Sequence, residues 1–435
     1  MLVRQLNIIG GLTMQPSRKI ASNIFKGSLG NMIEWYDWYV YAAFAVYFSP
    51  SFFPSHDPTS ELLDAAAVFA LGFLMRPIGS LVMGRYADRH GRRAGLTLSI
   101  LIMASGSLLI ALLPNYQTVG IWAPVLLVVI RLFQGLSLGG EYGTSATYLS
   151  EMAEPSRRGF YSSFQYVTLV SGQLIALGVQ IILQMYLTET ELSSWGWRIP
   201  FAIGAAGALL VLWLRLSMDE SNQFQHMSTS QRQSAGTIRA LLKYPKQILT
   251  VVGLTLGGTI CFYTYTTYMQ KFMINSVGLP KGTVALINFA ALFIFMCLQP
   301  LAGYISDHIG RRPLLFFFGI GSTVLTVPLF WLMQTTKTPL MAFLMMLVGL
   351  ILVTGYTSIN AIVKAELFPT EIRALGVGFP YGLTVALFGG TTEYIALWFK
   401  QAHHESYFFI YVSLCALISL IVYWRMTETM HAEWD

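Results

Sequence analysis

Residues 30–41 read GNMIEWYDWYVY, which sets two carboxylates, Glu34 and Asp37, inside a run of aromatic and aliphatic side chains otherwise suited to hydrocarbon. The run is not isolated. Apolar runs of about 20 residues, the length that crosses ~30 Å of hydrocarbon, recur at about 28–50, 62–84, 94–113, 122–148, 161–186, 198–217, 247–273, 282–303, 313–334, 339–363, 374–398 and 406–426. The chain is 54% hydrophobic and 11% charged, against roughly 25% charged residues in a soluble domain. The longest polar segment between runs, about residues 218–246, is too short for a soluble domain. These features predict an all-α integral membrane protein with twelve transmembrane helices.

Charge placement supplies the topology. One set of connecting segments carries Arg4, Arg18, Lys19, Lys26, Arg85, Arg89, Arg92, Arg93, Arg157, Arg158, Arg232, Arg239, Lys243, Lys246, Arg311, Arg312, Lys364 and Arg373, whereas the alternate set carries little beyond Lys281, Lys337 and Lys400. The positive-inside rule then puts both termini in the cytoplasm. The high pI needs no nucleic-acid partner. The N-terminus lacks a signal-peptide pattern, and Met14 offers a second start after Met1. Cys261, Cys297 and Cys415 lie in apolar runs without ligand-like spacing, so neither metal, disulfide nor cofactor is expected. His403 and His404 read as a solvated pair in an outer loop. No G-x-x-x-x-G-K-[ST] or HExxH motif is present, which argues against an ATP-driven pump and a metalloenzyme and leaves an ion gradient as the energy source.

The segment MDESNQFQHMSTSQRQSAGTIRALLKYPKQ divides six runs from six. The expected organisation is a cytoplasmic N-terminal segment (1–27), a six-helix bundle (28–217), a cytoplasmic linker with short helices (218–246), a second six-helix bundle (247–426) and a cytoplasmic tail (427–435). GRYADRHGRR (84–93) recurs as GYISDHIGRR (303–312) at an offset of 219, and Glu151 with Arg158 recurs as Glu366 with Arg373 at an offset of 215. The chain therefore reads as a duplicated six-helix unit, the architecture of alternating access about a midplane site. In the repeated loop, Gly84 permits close helix approach, Asp88 can accept bonds from a neighbouring helix N-terminus and Gly91 turns the chain, while Arg92 and Arg93 hold the surface. With Asp307, Gly310, Arg311 and Arg312 in the second copy, these residues are candidates for a cytoplasmic gate. A plain topological anchor of positive charge is the alternative.

These loops, together with RLFQGLSLGGEYG on the fourth run and AELFPTEIRALG after the tenth, resemble the major facilitator superfamily. GNMIEWYDWYVY, GFLMRPIGSLVMGRYADRHGRR, EYGTSATYLSE, GFYSSFQYVTL and WGWRIPFAIG are similar to its metabolite:proton symporter family, in order and register from about residue 25 to 425. The resemblance implies two pseudo-symmetric six-helix bundles and proton-coupled import of α-ketoglutarate or a similar small carboxylate across a bacterial inner membrane. Citrate or tricarballylate, shikimate and proline or betaine are the alternative substrates within that family, and an uncoupled facilitator is the alternative mode. The implied partners are a small anionic metabolite, protons and the lipid bilayer, with the chain acting as a monomer. The Gly-Pro-x-x-Gly-Gly core that marks the superfamily's antiporters is missing from LVSGQLIALGVQ, which favours symport.

The buried charges carry a reading of their own, because an ionisable residue at mid-helix costs about 2.5–3.5 kcal/mol to insert and by default marks a functional site. Glu34 and Asp37, three apart, share a helix face. They lie roughly 9–14 Å from the cytoplasmic end, at the depth of Arg76 and Glu141. Glu34, Asp37 and Glu141 are candidate proton sites, and Arg76 is either a substrate contact or the structural partner of one of them. Arg131 suits bidentate carboxylate recognition or a packing role. The resemblance places it at the superfamily's arginine associated with proton transfer. Arg198, between the interfacial Trp195 and Trp197 and the sixth run, is a substrate contact or a snorkelling side chain. In the seventh run, Thr264, Tyr268 and Lys271 follow i, i+4, i+7 spacing, and with Tyr263 they form a candidate substrate-binding stripe, the alternative being an interfacial belt. Glu393 is the remaining buried acid, on the eleventh run.

Overall fold

Apolar segments with only lipid or one another for company satisfy their backbone polar groups internally, as helices. The computed structural model describes residues 17–54 and 58–430, and no strand occurs among them. The spanning helices are α1 (Ser17–Phe52), α2 (Pro58–His90), α3 (Arg92–Leu112) and α4 (Trp122–Met152). They continue with α5 (Pro155–Tyr186), α6 (Arg198–Arg215), α7 (Pro245–Val277) and α8 (Lys281–Ile309). The last four are α9 (Arg312–Thr336), α10 (Pro339–Ala365), α11 (Thr370–Gly389, extended by Thr392–Gln401) and α12 (Glu405–Arg425).

Eleven of these helices are long and apolar enough to cross a membrane on composition alone, and α1 is the twelfth. Its shortfall lies in the stretch around Glu34 and Asp37, where indole and phenol rings replace aliphatic side chains. At 36 residues, or about 54 Å, α1 also begins well before residue 28, so part of the expected N-terminal segment is helical. The linker folds as three short helices, Asn222–His226, Thr229–Ser234 and Ile238–Leu241.

Within the first half, α2 packs along α4, α1 along α5, and α3 against α4 and α6; within the second, α9 packs against α10 and α12, α7 against α12, and α8 against α10. The seam between halves joins α2 to α11 and α8 to α5. Exchanging the halves turns one of these pairings into the other, as a duplicated unit requires. The α2–α4 packing is close because it is built on glycines. A Cβ on Gly135 or Gly139 would strike the backbone carbonyls of Gly72 and Arg76, the small-residue approach that helices use where lipid supplies no hydrophobic drive. Large apolar side chains such as Leu74, Val82, Leu210 and Trp213 remain exposed on the outer surface, as they should against acyl chains. Helix α7 widens into π turns at Thr264–Tyr268 and Met273–Val277, and α11 does so at Val385–Gly389. Such turns mark sites where regular packing has been given up.

Candidate functional site

Helices α1, α2 and α4 bring Glu34, Asp37, Arg76, Arg131 and Glu141 together inside the first half, all essentially inaccessible. Asp37 Oδ2 pairs with Arg131 Nη1 at 2.8 Å, while Ser107 Oγ donates to Asp37 Oδ1 at 2.6 Å. Arg131 also donates to Gln134 Oε1 at 2.7 Å and lies 4.0 Å from the Trp38 ring, and its Nε and Nη2 have no hydrogen-bond partner. Glu141 is held by Arg215 at the end of α6, which further donates to the carbonyls of Gly27 and Leu96. Glu34 has a different kind of environment. Its Oε1 accepts from Ser99 Oγ at 3.0 Å and Ser137 Oγ at 2.5 Å, and its Oε2 has no partner.

Arg76 neutralises none of the three acids. Its guanidinium lies 4.6 Å from the Phe73 ring and 5.0 Å from Trp35, beside the Tyr263 hydroxyl of the other half. Its Nη1 has no partner, and no carboxylate of the described residues is within ion-pair distance. The structural-partner role considered for Arg76 is filled instead by Arg131 and Arg215, which approach from helices the sequence left unregistered.

The stripe on α7 does not form. The π turns add a residue per turn and rotate the intended face apart. Thr264 is buried without a side-chain hydrogen bond, Tyr268 turns to α12 and donates to Glu405 at 3.0 Å, and Lys271 pairs with Glu393 while half exposed. Only Tyr263 of this set meets the first half, through Arg76 and Phe73. Arg198 donates to the carbonyls of Ala111 at 2.9 Å and Leu113 at 2.7 Å. It thus satisfies the orphan end of α3, with no contact to the central charges.

The repeated loops form a pair of cross-half latches on the face that carries the linker. Asp88 accepts from the backbone N–H of Ala374 at 3.1 Å and Leu375 at 3.0 Å, at the start of α11. Asp307 accepts from Gly159 at 2.8 Å and Phe160 at 2.9 Å, at the start of α5. Each acid is braced by its own arginine, Arg92 and Arg311, at 2.8 Å. Arg92 and Arg373 both pair with Glu151, at 3.1 and 2.8 Å, and Arg92 reaches the Thr370 carbonyl at 2.7 Å. The structure is therefore closed at this face. Gly84 lies against the Leu375 backbone, and Gly91 and Gly310 have φ of 110° and 95°, a region open to glycine. Arg93 and Arg312 work within their own halves, donating to the carbonyls of Leu216 and Trp424 at the ends of α6 and α12.

Glu366 pairs with Arg311 at 3.4 Å and accepts from Thr429 at 2.6 Å; burial pushes its carboxyl up to about 7 against the opposing pull of Arg311. Glu428 lies below the usual carboxylate range, because backbone N–H groups led by those of Arg312 and Arg311 outweigh its partial burial.

A family model described as Major Facilitator Superfamily matches residues 28–387. The chain belongs to the Major Facilitator Superfamily. It is 48% identical over 411 residues to alpha-ketoglutarate permease of Escherichia coli (strain K12), covering 94% of each chain. It is 32% identical to the citrate-proton symporter of Klebsiella pneumoniae, covering 97% of this chain and 94% of that one. Among solved structures, the proton:xylose symporter XylE bound to 6-bromo-6-deoxy-D-glucose matches with a TM-score of 0.81 at 18% identity, over 97% of this chain and 100% of that chain, which is a likeness of fold. As a superfamily member, the protein is a multi-pass membrane transporter and not an enzyme.

Sequence reasoning misses the placement of four charged side chains. Arg215 is absent from the sequence reading, although its position one turn before the linker, in an otherwise apolar helix, is a usable signal. Lys364, one of the cations that the sequence places in a connecting segment, is completely buried. Finally, Glu220 caps the backbone of Arg92 and Arg93 at 3.0 and 3.1 Å, and Glu428 caps Arg311 and Arg312, both at 3.0 Å. Ser221 and Thr429, the next residues, bond Glu151 and Glu366. This repeat is visible as MDES (218–221) and MTET (426–429), and it extends the duplication beyond the helices.

Proposed function

We propose that this protein is a proton-coupled importer of α-ketoglutarate or a similar small dicarboxylate in a bacterial inner membrane, with the latched face cytoplasmic. One observation carries the reading: Glu34, Asp37, Arg76 and Arg131 are buried together on three helices and share a single ion pair. Arg76 is free to take a substrate carboxylate. Arg131, with two unpartnered nitrogens, can take a second oxygen while still facing Asp37. Glu34 bonds only hydroxyl groups, so it can gain or lose a proton without breaking an ion pair, and it is the foremost proton site. Asp37 with Arg131 forms the second site, where an arriving carboxylate competes with the acid and favours its protonation. Glu141, held by Arg215, is the least available of the three. The identity to the E. coli permease supports the substrate class.

Energetics support coupling. An inside-negative potential opposes entry of a dianion by about 2.3 kcal/mol per charge per 100 mV, roughly 4.6 kcal/mol in all. Two protons cancel that term, and a third makes uptake respond to voltage. The latches of Asp88, Arg92, Asp307 and Arg311 form the cytoplasmic gate, which breaks as the halves rock. Each chain holds a complete site, so a monomer suffices. The test is uptake of labelled α-ketoglutarate into proteoliposomes under an imposed pH gradient, with unlabelled α-ketoglutarate and a second dicarboxylate as competitors beside citrate, shikimate and betaine. Accumulation that collapses with the gradient and is displaced by dicarboxylates is expected; failure to accumulate, or displacement by betaine alone, refutes the reading.

A further inference from the structure

We propose that Lys364 is the second carboxylate anchor of a two-cation seat whose first anchor is Arg76, so that the substrate is held by one charge from each half. This rests on the transport reading above and assigns the part of the seat that the second half supplies. Lys364 Nζ donates to Tyr142 Oη at 3.0 Å and Asn360 Oδ1 at 2.9 Å, and it stands 3.9 Å from the centroid of the Tyr381 ring. Its side chain is fully buried, and no carboxylate of the described residues comes within ion-pair distance. The protein alone supplies no counter-charge for an ammonium buried among neutral partners. An anionic ligand supplies the missing charge.

Geometry links this lysine to Arg76. Tyr142 on α4 stacks on Tyr381 of α11 with centroids 3.7 Å apart and planes at 14°, so the pair straddles the seam. Lys364 lies against both rings, and Arg76 reaches the same seam, its backbone carbonyl lying against Gly382, the residue after Tyr381. Two cations from opposite halves, neither with a carboxylate partner among the described residues, thus lie at one seam, and together they match the two charges of a dicarboxylate. A monocarboxylate satisfies one of them. The occupied seat also changes the seam: Tyr142 donates to Asn360, the same amide oxygen that Lys364 uses. A carboxylate that draws Lys364 away rearranges the hydrogen bonds tying α4 to α10, which gives the ligand different contacts in the two states of the carrier, as any ligand-driven shift demands.

The experiment compares α-ketoglutarate with 2-oxobutyrate, which keeps the keto-acid end and lacks the distal carboxylate, as inhibitors of α-ketoglutarate counterflow in proteoliposomes. Lys364→Gln retains hydrogen-bonding capacity toward Tyr142 and Asn360 and is expected to reduce the preference for the dicarboxylate by about 10-fold or more, the worth of a charged hydrogen bond, with little effect on 2-oxobutyrate. A preference that survives the substitution, or an equal loss for both ligands, overturns the assignment. A second measurement needs no variant: acylation of Lys364 in the parent protein during turnover, read by mass spectrometry. Protection by α-ketoglutarate and not by 2-oxobutyrate is expected, and equal labelling under both conditions, including none, overturns it. If the parent protein shows no dicarboxylate counterflow, it is the transport reading that falls.

Discussion

At the scale of single residues, the three acids of the first half differ in what their removal leaves behind. Asp37→Asn strands Arg131, and Glu141→Gln strands Arg215. An uncompensated buried charge costs about 3–5 kcal/mol, so both variants should melt well below the parent in detergent. Glu34→Gln strands no ion-pair partner, since Ser99 and Ser137 can still donate to the amide oxygen. It should keep the parent's melting temperature within a few degrees, retain counterflow exchange and lose accumulation against a gradient. Intact accumulation by Glu34→Gln would remove it as a proton site. The acids were legible in the sequence because charge in a span of hydrocarbon length is conspicuous. Their partners were not, because which arginine meets which acid depends on rotation of α4 and α6 about their axes. Lys364 shows the same limit more sharply. Counting residues puts it at a helix end, but α10 breaks between Thr357 and Asn360, and the break aims the side chain inward.

At the scale of elements, the α2–α4 contact and the surroundings of Glu366 make separable predictions. Gly139→Val places side-chain carbon against the Arg76 carbonyl; overpacking of this kind costs about 1–3 kcal/mol. It also displaces Arg76, so dicarboxylate affinity should fall together with the melting temperature. Glu366 responds to pH. Its carboxyl stands at about 7 in the folded protein, mainly through burial, against about 4.3 in an unfolded chain. Between those values the native state holds a proton that the unfolded state has released, so stability falls as pH rises through the window and is level above it. Melting curves of the parent and of Glu366→Gln from pH 4.5 to 8 should differ in slope, the parent losing ground to the variant up to about pH 7. Parallel curves would place the titration elsewhere. The stripe expected on α7 failed for an elemental reason, since i, i+4, i+7 spacing describes a regular helix and this one widens at Thr264–Tyr268.

At the scale of the whole molecule, duplication was the most legible feature, and the latches follow it: Asp88 and Asp307 each close on the helix start of the opposite half. Asp88→Asn with Asp307→Asn weakens four charge-assisted hydrogen bonds and should shift the carrier toward an opening at the linker face. Spin labels at Arg85→Cys and Glu371→Cys should report a longer distance in that background. An unchanged distance distribution would reduce the loops to anchors of topology. The weak hydropathy of α1 bears on how the chain is made. Asp37 finds its counter-ion 94 residues later, at Arg131, and synthesis at about 5–20 residues per second delays that meeting by roughly 5–20 s. With each mid-helix acid disfavoured in lipid by about 2.5–3.5 kcal/mol, the nascent first helix is a poor candidate for release into the bilayer alone. The insertion machinery has to shelter it until α4 emerges, and biogenesis then proceeds by handing over a group of helices instead of one at a time.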